Sequence, residues 1–219
     1  MKKIGVILSG CGVYDGSEIH EAVIALLAID RAGAEAVCMA PNMGQLHVVN
    51  HLTGQVAPQD HRNVLVEAAR IARGKIFDIS TVNAADLDAV ILPGGFGAAK
   101  NLSTFALAGA DCDLNPQVER LLKELFAAKK PIGAICIAPA VLARALGKVA
   151  PITVTIGTDA GTAAAINATG AQHQDCPVRE IVIDKAHKIV STPAYMLAGR
   201  ISEAADGIEK TVQAILTLI

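Results

Sequence analysis

The chain has 219 residues, enough to bury roughly 70% of the surface its unfolded form exposes, so it needs neither disulfides nor a metal to fold. Hydrophobic residues make up 52% and charged residues 18%, which excludes disorder because apolar burial can offset the entropy of ordering. The 19 Lys and Arg against 21 Asp and Glu leave a formal charge of −2, with few aromatics and no basic stripe, and this argues against nucleic acid as a partner.

Lys3 to Leu8 is a short apolar run that ends at Ser9-Gly10 and predicts a buried first strand. Leu8-Ser9-Gly10-Cys11 has a superficial likeness to a lipoprotein cleavage site, but the apolar stretch before it is too short for a signal segment of ~7–15 residues. Residues 17–32 predict a helix with Ile19, Val23, Leu26, Leu27 and Asp30 on one side, closed by Gly33. Glu35 to Met39 predicts the second strand, and the polar stretch 45–60 an excursion without an element.

Arg62 to Arg73 reads as a helix, and Asp88 to Leu92 as a third strand running into Pro93-Gly94-Gly95. Pro116 opens the next helix, at a position where its missing N–H costs nothing. Pro131 to Ile135 is the fourth strand, with a helix from Ile137 to Leu146 behind it. Ile152 to Thr155 predicts a short strand, 158–169 a helix, and 180–184 with 188–191 a hairpin. The last helix carries Ile201, Ala205, Ile208, Val212, Ile215 and Ile219 on one face. Strands alternating with helices predict a single α/β domain over residues 1–219, doubly wound around a mostly parallel sheet. Its functional residues belong at the carboxyl ends of the strands.

The five cysteines, Cys11, Cys38, Cys112, Cys136 and Cys176, are odd in number and include no C-x-x-C. That argues against a disulfide framework or zinc and for a reducing cytoplasmic location. No apolar run approaches the ~20 residues that span a bilayer, so no membrane is expected as a partner.

Three strand ends carry glycine-rich or sharp turns. Gly10-Cys11-Gly12 begins like a dinucleotide fingerprint, but Asp15 takes the third glycine's place and no acid follows the second strand. A helix entry capped by Asp15 or Ser17 is the better reading, and no nicotinamide cofactor is expected. Pro93-Gly94-Gly95 offers backbone N–H groups to a developing oxyanion, or is a tight turn needing positive φ.

Gly133-Ala134-Ile135-Cys136-Ile137-Ala138-Pro139 has the small-x-nucleophile-x-small spacing of a nucleophile elbow. The small residues let strand and helix pass closely, and the helix N-terminus is expected to lower the Cys136 pKa. The competing reading is a buried structural cysteine. Glu18 and Glu21 share a helix face and are the candidate proton carriers; Glu18 also has capping-box spacing from Asp15. Of six histidines, His173 is the candidate for catalysis; His20 and His61 read as surface residues, and His47 with His51 lack a carboxylate to complete a metal site.

Leu92-Pro93-Gly94-Gly95 followed by Gly97-Ala98 and Asn101-Leu102, together with the Cys136 elbow, resembles the PfpI-like, class I amidotransferase-like superfamily. From Lys2 to Leu197 the chain is similar to its ElbB branch, described as glyoxalase-like and linked to isoprenoid biosynthesis. The resemblance implies a flavodoxin-like fold and a homodimer. It also implies a nucleophile at Cys136, oxyanion donors on the Gly95 and Ile137 amides, and the helix glutamate at Glu21, with Glu18 as rival. Many relatives place a His after the strand that follows the elbow helix, where Thr155 to Asp159 has none.

The activity this implies is glyoxalase chemistry without a cofactor, turning a small dicarbonyl into a hydroxy acid, with a deglycase activity as a variant. A cysteine-based oxidative sensor and an amidase or glutaminase are the alternatives.

Overall fold

The computed structural model describes residues 1–219. Its first half runs β1 (Lys3–Ile7), α1 (Ile19–Arg31), β2 (Glu35–Ala40), β3 (Val49–Asn50), β4 (Gln55–Val56), α2 (Val64–Ile71), β5 (Phe77–Asp78) and β6 (Ala89–Leu92). Next come α3 (Phe96–Lys100), α4 (Phe105–Ala108), α5 (Pro116–Ala127), β7 (Ile132–Ile135) and α6 (Pro139–Leu146). The chain finishes with β8 (Thr153–Val154), α7 (Ala160–Ala168), β9 (Gln172–His173), β10 (Val182–Asp184), β11 (Ile189–Thr192) and α8 (Ile201–Leu218).

Seven strands form the central sheet in the order β10-β11-β7-β6-β1-β2-β5, and every pairing is parallel except β10 with β11. Because side chains alternate across a strand, Ile4, Val6 and Ile91 enter one core while Ile7, Val90 and Leu92 enter the other. The first core is closed by α1, α2 and α8 through Ala22, Ala25, Val64, Ile208 and Val212; the second by α5 and α6 through Leu121, Leu125, Leu142 and Leu146. Each fully buried Leu, Ile or Val stabilises by about 1.5–3 kcal/mol, so the two faces hold the sheet between them. This is the flavodoxin-like α/β architecture. No helix is long and apolar enough to cross a membrane.

Several local expectations change. The stretch 45–60 folds as the antiparallel hairpin β3–β4 rather than an elementless excursion, and β5 adds an edge strand. The strand at Thr153 leaves the main sheet and pairs with β9. In α1 the side bearing Ile19, Val23 and Leu27 faces solvent, while Ala22, Ala25, Ala28 and Ile29 are buried. Small alanines let α1 sit close on the sheet and on α8, so closeness of approach decides the face, not side-chain size. Ile201, placed on the apolar face of α8, is half exposed.

Candidate active site

The carboxyl ends of β1, β6, β7 and β11 converge, as the parallel pairings of these adjacent strands require. At the end of β7, Cys136 has φ +62°, a left-handed conformation that a non-glycine residue adopts at a cost. The turn is held because the Cys136 N–H donates to the Thr192 carbonyl at 2.9 Å, and Ala134 and Ala138 are fully buried on either side. The thiol is thus projected at the start of α6 from a buried elbow.

Beside it, Pro93-Gly94-Gly95 leaves β6. A Cβ on Gly94 would lie 2.5 Å from the Cys136 Cβ and 2.9 Å from the Glu21 Oε2, so only glycine fits there. Gly95 has φ +89°. The Gly95 and Ile137 amides point at the sulfur, and neither donates to a backbone carbonyl.

Glu21, on the buried side of α1, has no solvent exposure. Its Oε2 accepts from the Gly94 N–H at 2.9 Å and its Oε1 from the Tyr195 N–H at 3.2 Å, while the carboxyl lies within hydrogen-bonding reach of the Cys136 thiol. Glu18 is the N-cap of α1: its Oε2 accepts from the Glu21 N–H at 2.7 Å, and its own N–H donates to the Gly94 carbonyl. Neither Asp15 nor Ser17 caps the helix, as the sequence had suggested. Asp15 instead accepts from the Val49 N–H at 2.7 Å, tying its loop to the β3–β4 hairpin. Asn101 reinforces the same region, donating to the Ser9 and Asp15 carbonyls and accepting from the Leu46 N–H.

Burial, reinforced by the Glu18 charge, pushes the Glu21 carboxyl up to about 8. Burial and then Glu21 also push the Cys136 thiol well above its ordinary value, against the pull of the Gly95 and Ile137 amides. The lowered thiol pKa expected from the helix N-terminus is therefore corrected: desolvation in this closed elbow outweighs the helix dipole. The two acids titrate as a pair that holds both protons at neutral pH.

His173 is not part of this constellation. It sits on β9 with its Nε2 accepting from the Ile156 N–H at 3.2 Å, and it does not line the cavity above Cys136. Its ring completes a backbone bond and is spent structurally. Cys176 is likewise buried away from the cavity. No group of three or more His, Cys, Asp or Glu side chains is arranged to hold a metal ion.

The cavity has a volume of about 440 Å³, with Cys136, Gly95, Ile137 and Glu18 at its base. Its walls come from Val13, Phe96, Ala99, Phe105, Ala106, Thr162, Tyr195 and Met196. Tyr195 escaped the sequence reading. Its N–H braces Glu21 while its hydroxyl lies 2.8 Å from the His20 Nδ1, so His20 is not a bare surface residue. The signal available was a Tyr just past a strand end in a chain with only two.

This chain is 48% identical over 225 residues to the ES1 protein homolog, mitochondrial, of Rattus norvegicus, covering 99% of this chain and 84% of that protein. It is 49% identical to the glutamine amidotransferase-like class 1 domain-containing protein 3, mitochondrial, of Homo sapiens, covering 99% and 83%. These relatives, with the ES1 protein, mitochondrial, of Danio rerio, are named as mitochondrial proteins, and that overturns the cytoplasmic location expected above. Unpaired cysteines suit any reducing compartment and do not single out the cytoplasm.

Among solved structures, the isoprenoid biosynthesis protein with amidotransferase-like domain from Ehrlichia chaffeensis superposes with a TM-score of 0.94 at 38% identity, covering 100% of this chain and 99% of that one. The ThiJ/PfpI domain protein from Brachyspira murdochii shares the fold, at TM-score 0.60 and 16% identity over 99% and 96% of the two chains. The DJ-1/PfpI family model matches residues 11–192, and with these relatives it establishes that the chain belongs to the DJ-1/PfpI family.

Proposed function

We propose that the protein is a cofactor-independent glyoxalase that converts an α-oxoaldehyde, glyoxal in the simplest case, into a 2-hydroxy acid. The observation that carries this reading is the pairing of Cys136, on a strained elbow that lines a cavity free of histidine, with the buried Glu21 carboxyl behind it. A Cys-His triad for amide hydrolysis has no base here. A redox sensor wants an accessible thiol of low pKa, and Cys136 is buried with its pKa raised.

In the proposed sequence, the Cys136–Glu21 pair first loses the Glu21 proton, and the carboxylate then takes the thiol proton as the sulfur attacks. The sulfur attacks the aldehyde carbon, and the Gly95 and Ile137 amides lie where they can hold the alkoxide formed next to it. Glu21 gives its proton to that oxygen, completing a hemithioacetal. The resulting carboxylate removes the proton on the same carbon, giving an enediolate; the hydroxyl proton passes to the neighbouring oxygen, and Glu21 returns the carbon proton to the neighbouring carbon. The product is a thioester of the 2-hydroxy acid. Water hydrolyses it, releasing the acid and restoring the thiol, so the net reaction adds one water and needs no oxidant. The same attack on a dicarbonyl already condensed with an amine would make the enzyme a deglycase.

Cys136→Ala should abolish consumption of glyoxal and formation of glycolate while leaving the thermal midpoint nearly unchanged. Full turnover in that variant would end this mechanism. We also infer an association with isoprenoid biosynthesis, supported by the description of the Ehrlichia neighbour, and a homodimeric state, supported by the exposed apolar side of α1.

A further inference from the structure

Glyoxal is a poor fit to the cavity it would enter. A volume of about 440 Å³ falls in the range that holds drug-sized ligands, about 300–1,000 Å³, and glyoxal has no atoms beyond its two carbonyl groups. Nine of the twelve lining residues are hydrophobic. The apolar surface lies above the sulfur, where Val13 from the loop after β1, Phe96 of α3, Phe105 and Ala106 of α4, and Met196 beyond β11 surround the space. No Lys, Arg or His lines it, and the one ionisable wall group besides Cys136 and Tyr195 is the Glu18 carboxyl. One cation beside these walls, Lys100, lies over the Phe96 ring at 5.0 Å from its centroid and donates to the Tyr14 carbonyl, outside the lining. A substrate carrying a carboxylate or phosphate would enter a low-dielectric space with no positive partner and a carboxylate already present.

We propose that the substrate is an uncharged α-oxoaldehyde whose keto carbon bears a bulky apolar substituent, aliphatic or aryl, seated between Phe96 and Phe105. This rests on the glyoxalase reading above and names the substrate class for the same site. The aldehyde carbon meets Cys136 Sγ, and the two oxygens stay near the Gly95 and Ile137 amides. The substituent fills the space that glyoxal leaves as water against hydrocarbon. Burying apolar surface on the reacting molecule lowers KM and, through better placement of the aldehyde carbon, raises kcat.

The test has two arms. In the first, turnover of phenylglyoxal is followed as mandelate and compared with turnover of glyoxal and of carboxyphenylglyoxal, each divided by its rate with free N-acetylcysteine. The expected result is a kcat/KM for phenylglyoxal about 100-fold above that for glyoxal, with most of the gain lost when the ring carries a carboxylate. In the second, Cys136 is alkylated by N-phenylmaleimide and N-methylmaleimide, again each relative to free thiol. This arm needs no glyoxalase step, and the phenyl reagent is expected to react faster by about tenfold or more. Phe105→Ser should shrink both ratios.

Equal normalised rates for the phenyl and small reagents in both arms would overturn the substrate class while leaving glyoxalase chemistry intact. A maleimide preference with no hydroxy acid formed from any dicarbonyl would overturn the glyoxalase reading, and the α-oxoaldehyde assignment with it.

Discussion

Glu21 carries two distinct burdens. Its carboxyl accepts from two backbone N–H groups and lies against the thiol, so Glu21→Gln removes the titrating proton from the side chain that meets the reacting sulfur. Turnover should fall at least ~100-fold, the usual scale for a general acid–base. Glu18→Gln keeps an acceptor for the Glu21 N–H and should stay within a few-fold of the parent. Steady-state kinetics of the two variants decide between them, and the reverse pattern would move the proton-carrying role to Glu18.

The same group sets a pH dependence whose sign follows from its raised pKa. Between the ordinary value of 4.5 and about 8, the folded protein holds a proton on Glu21 that the unfolded chain has already released. Stability from this group is therefore complete below 4.5 and falls as pH rises through about 8, by a few kcal/mol at most. Glu21→Gln should flatten that slope in denaturant titrations at pH 5, 6.5 and 8. Its NH2 leaves one of the two backbone N–H groups without an acceptor, about 1–3 kcal/mol, so the variant should be the weaker protein at pH 5. The difference should narrow or reverse by pH 8. Turnover moves the opposite way in the parent, rising with pH through about 8 as the Cys136–Glu21 pair loses its first proton. A parent rate flat from pH 6 to 9 would contradict this assignment.

At the scale of single elements, the turn after β6 is the least tolerant part of the site. Gly94→Ala would drive a methyl onto the Cys136 Cβ at 2.5 Å and the Ile135 carbonyl oxygen at 2.9 Å, neither of which is the free end of a flexible side chain. A loss of about 3 kcal/mol or more in stability is expected, with turnover lost because the Gly94 N–H no longer meets Glu21. Gly44→Ala is the control, since a Cβ there meets nothing within 4 Å and its unfolding midpoint should barely move.

Gly94, Gly95 and the Cys136 elbow were legible because their chemistry is local: a short strand, a small residue on each side and a sharp turn can be seen in adjacent letters. What could not be seen is anything set by a partner distant in sequence. The cap of α1 passed to Glu18 because Asp15 was claimed by Val49, 34 residues on. The raised Cys136 pKa comes from burial by β11, α1 and the Gly94 turn, whereas the sequence offered only the helix behind it. His173 had the right residue type in a polar loop, yet its ring was already committed to the Ile156 N–H. Tyr195 reaches the cavity only because β11 pairs with β7.

For the molecule as a whole, the unexplained feature is the outer side of α1. Ile19, Val23 and Leu27 are 42%, 47% and 42% exposed at i, i+4 and i+8, a continuous apolar stripe on the helix whose opposite side carries Glu21. A second copy of the chain, packed across a two-fold axis, would bury the stripe against itself and clamp the helix that positions the proton carrier. Val23 touches neither the cavity nor the sulfur, so Val23→Glu isolates the interface: a carboxylate at the centre of the stripe is well solvated in a monomer and costly in a dimer. Sedimentation equilibrium should give the parent twice the 22.6 kDa chain mass and the variant the single value. Far-UV circular dichroism of the variant should match the parent, and its thermal midpoint should lose its dependence on protein concentration. A parent that sediments as a monomer at micromolar concentration would remove the dimer from this picture, and a Val23→Glu variant that stays dimeric would place the interface on another face.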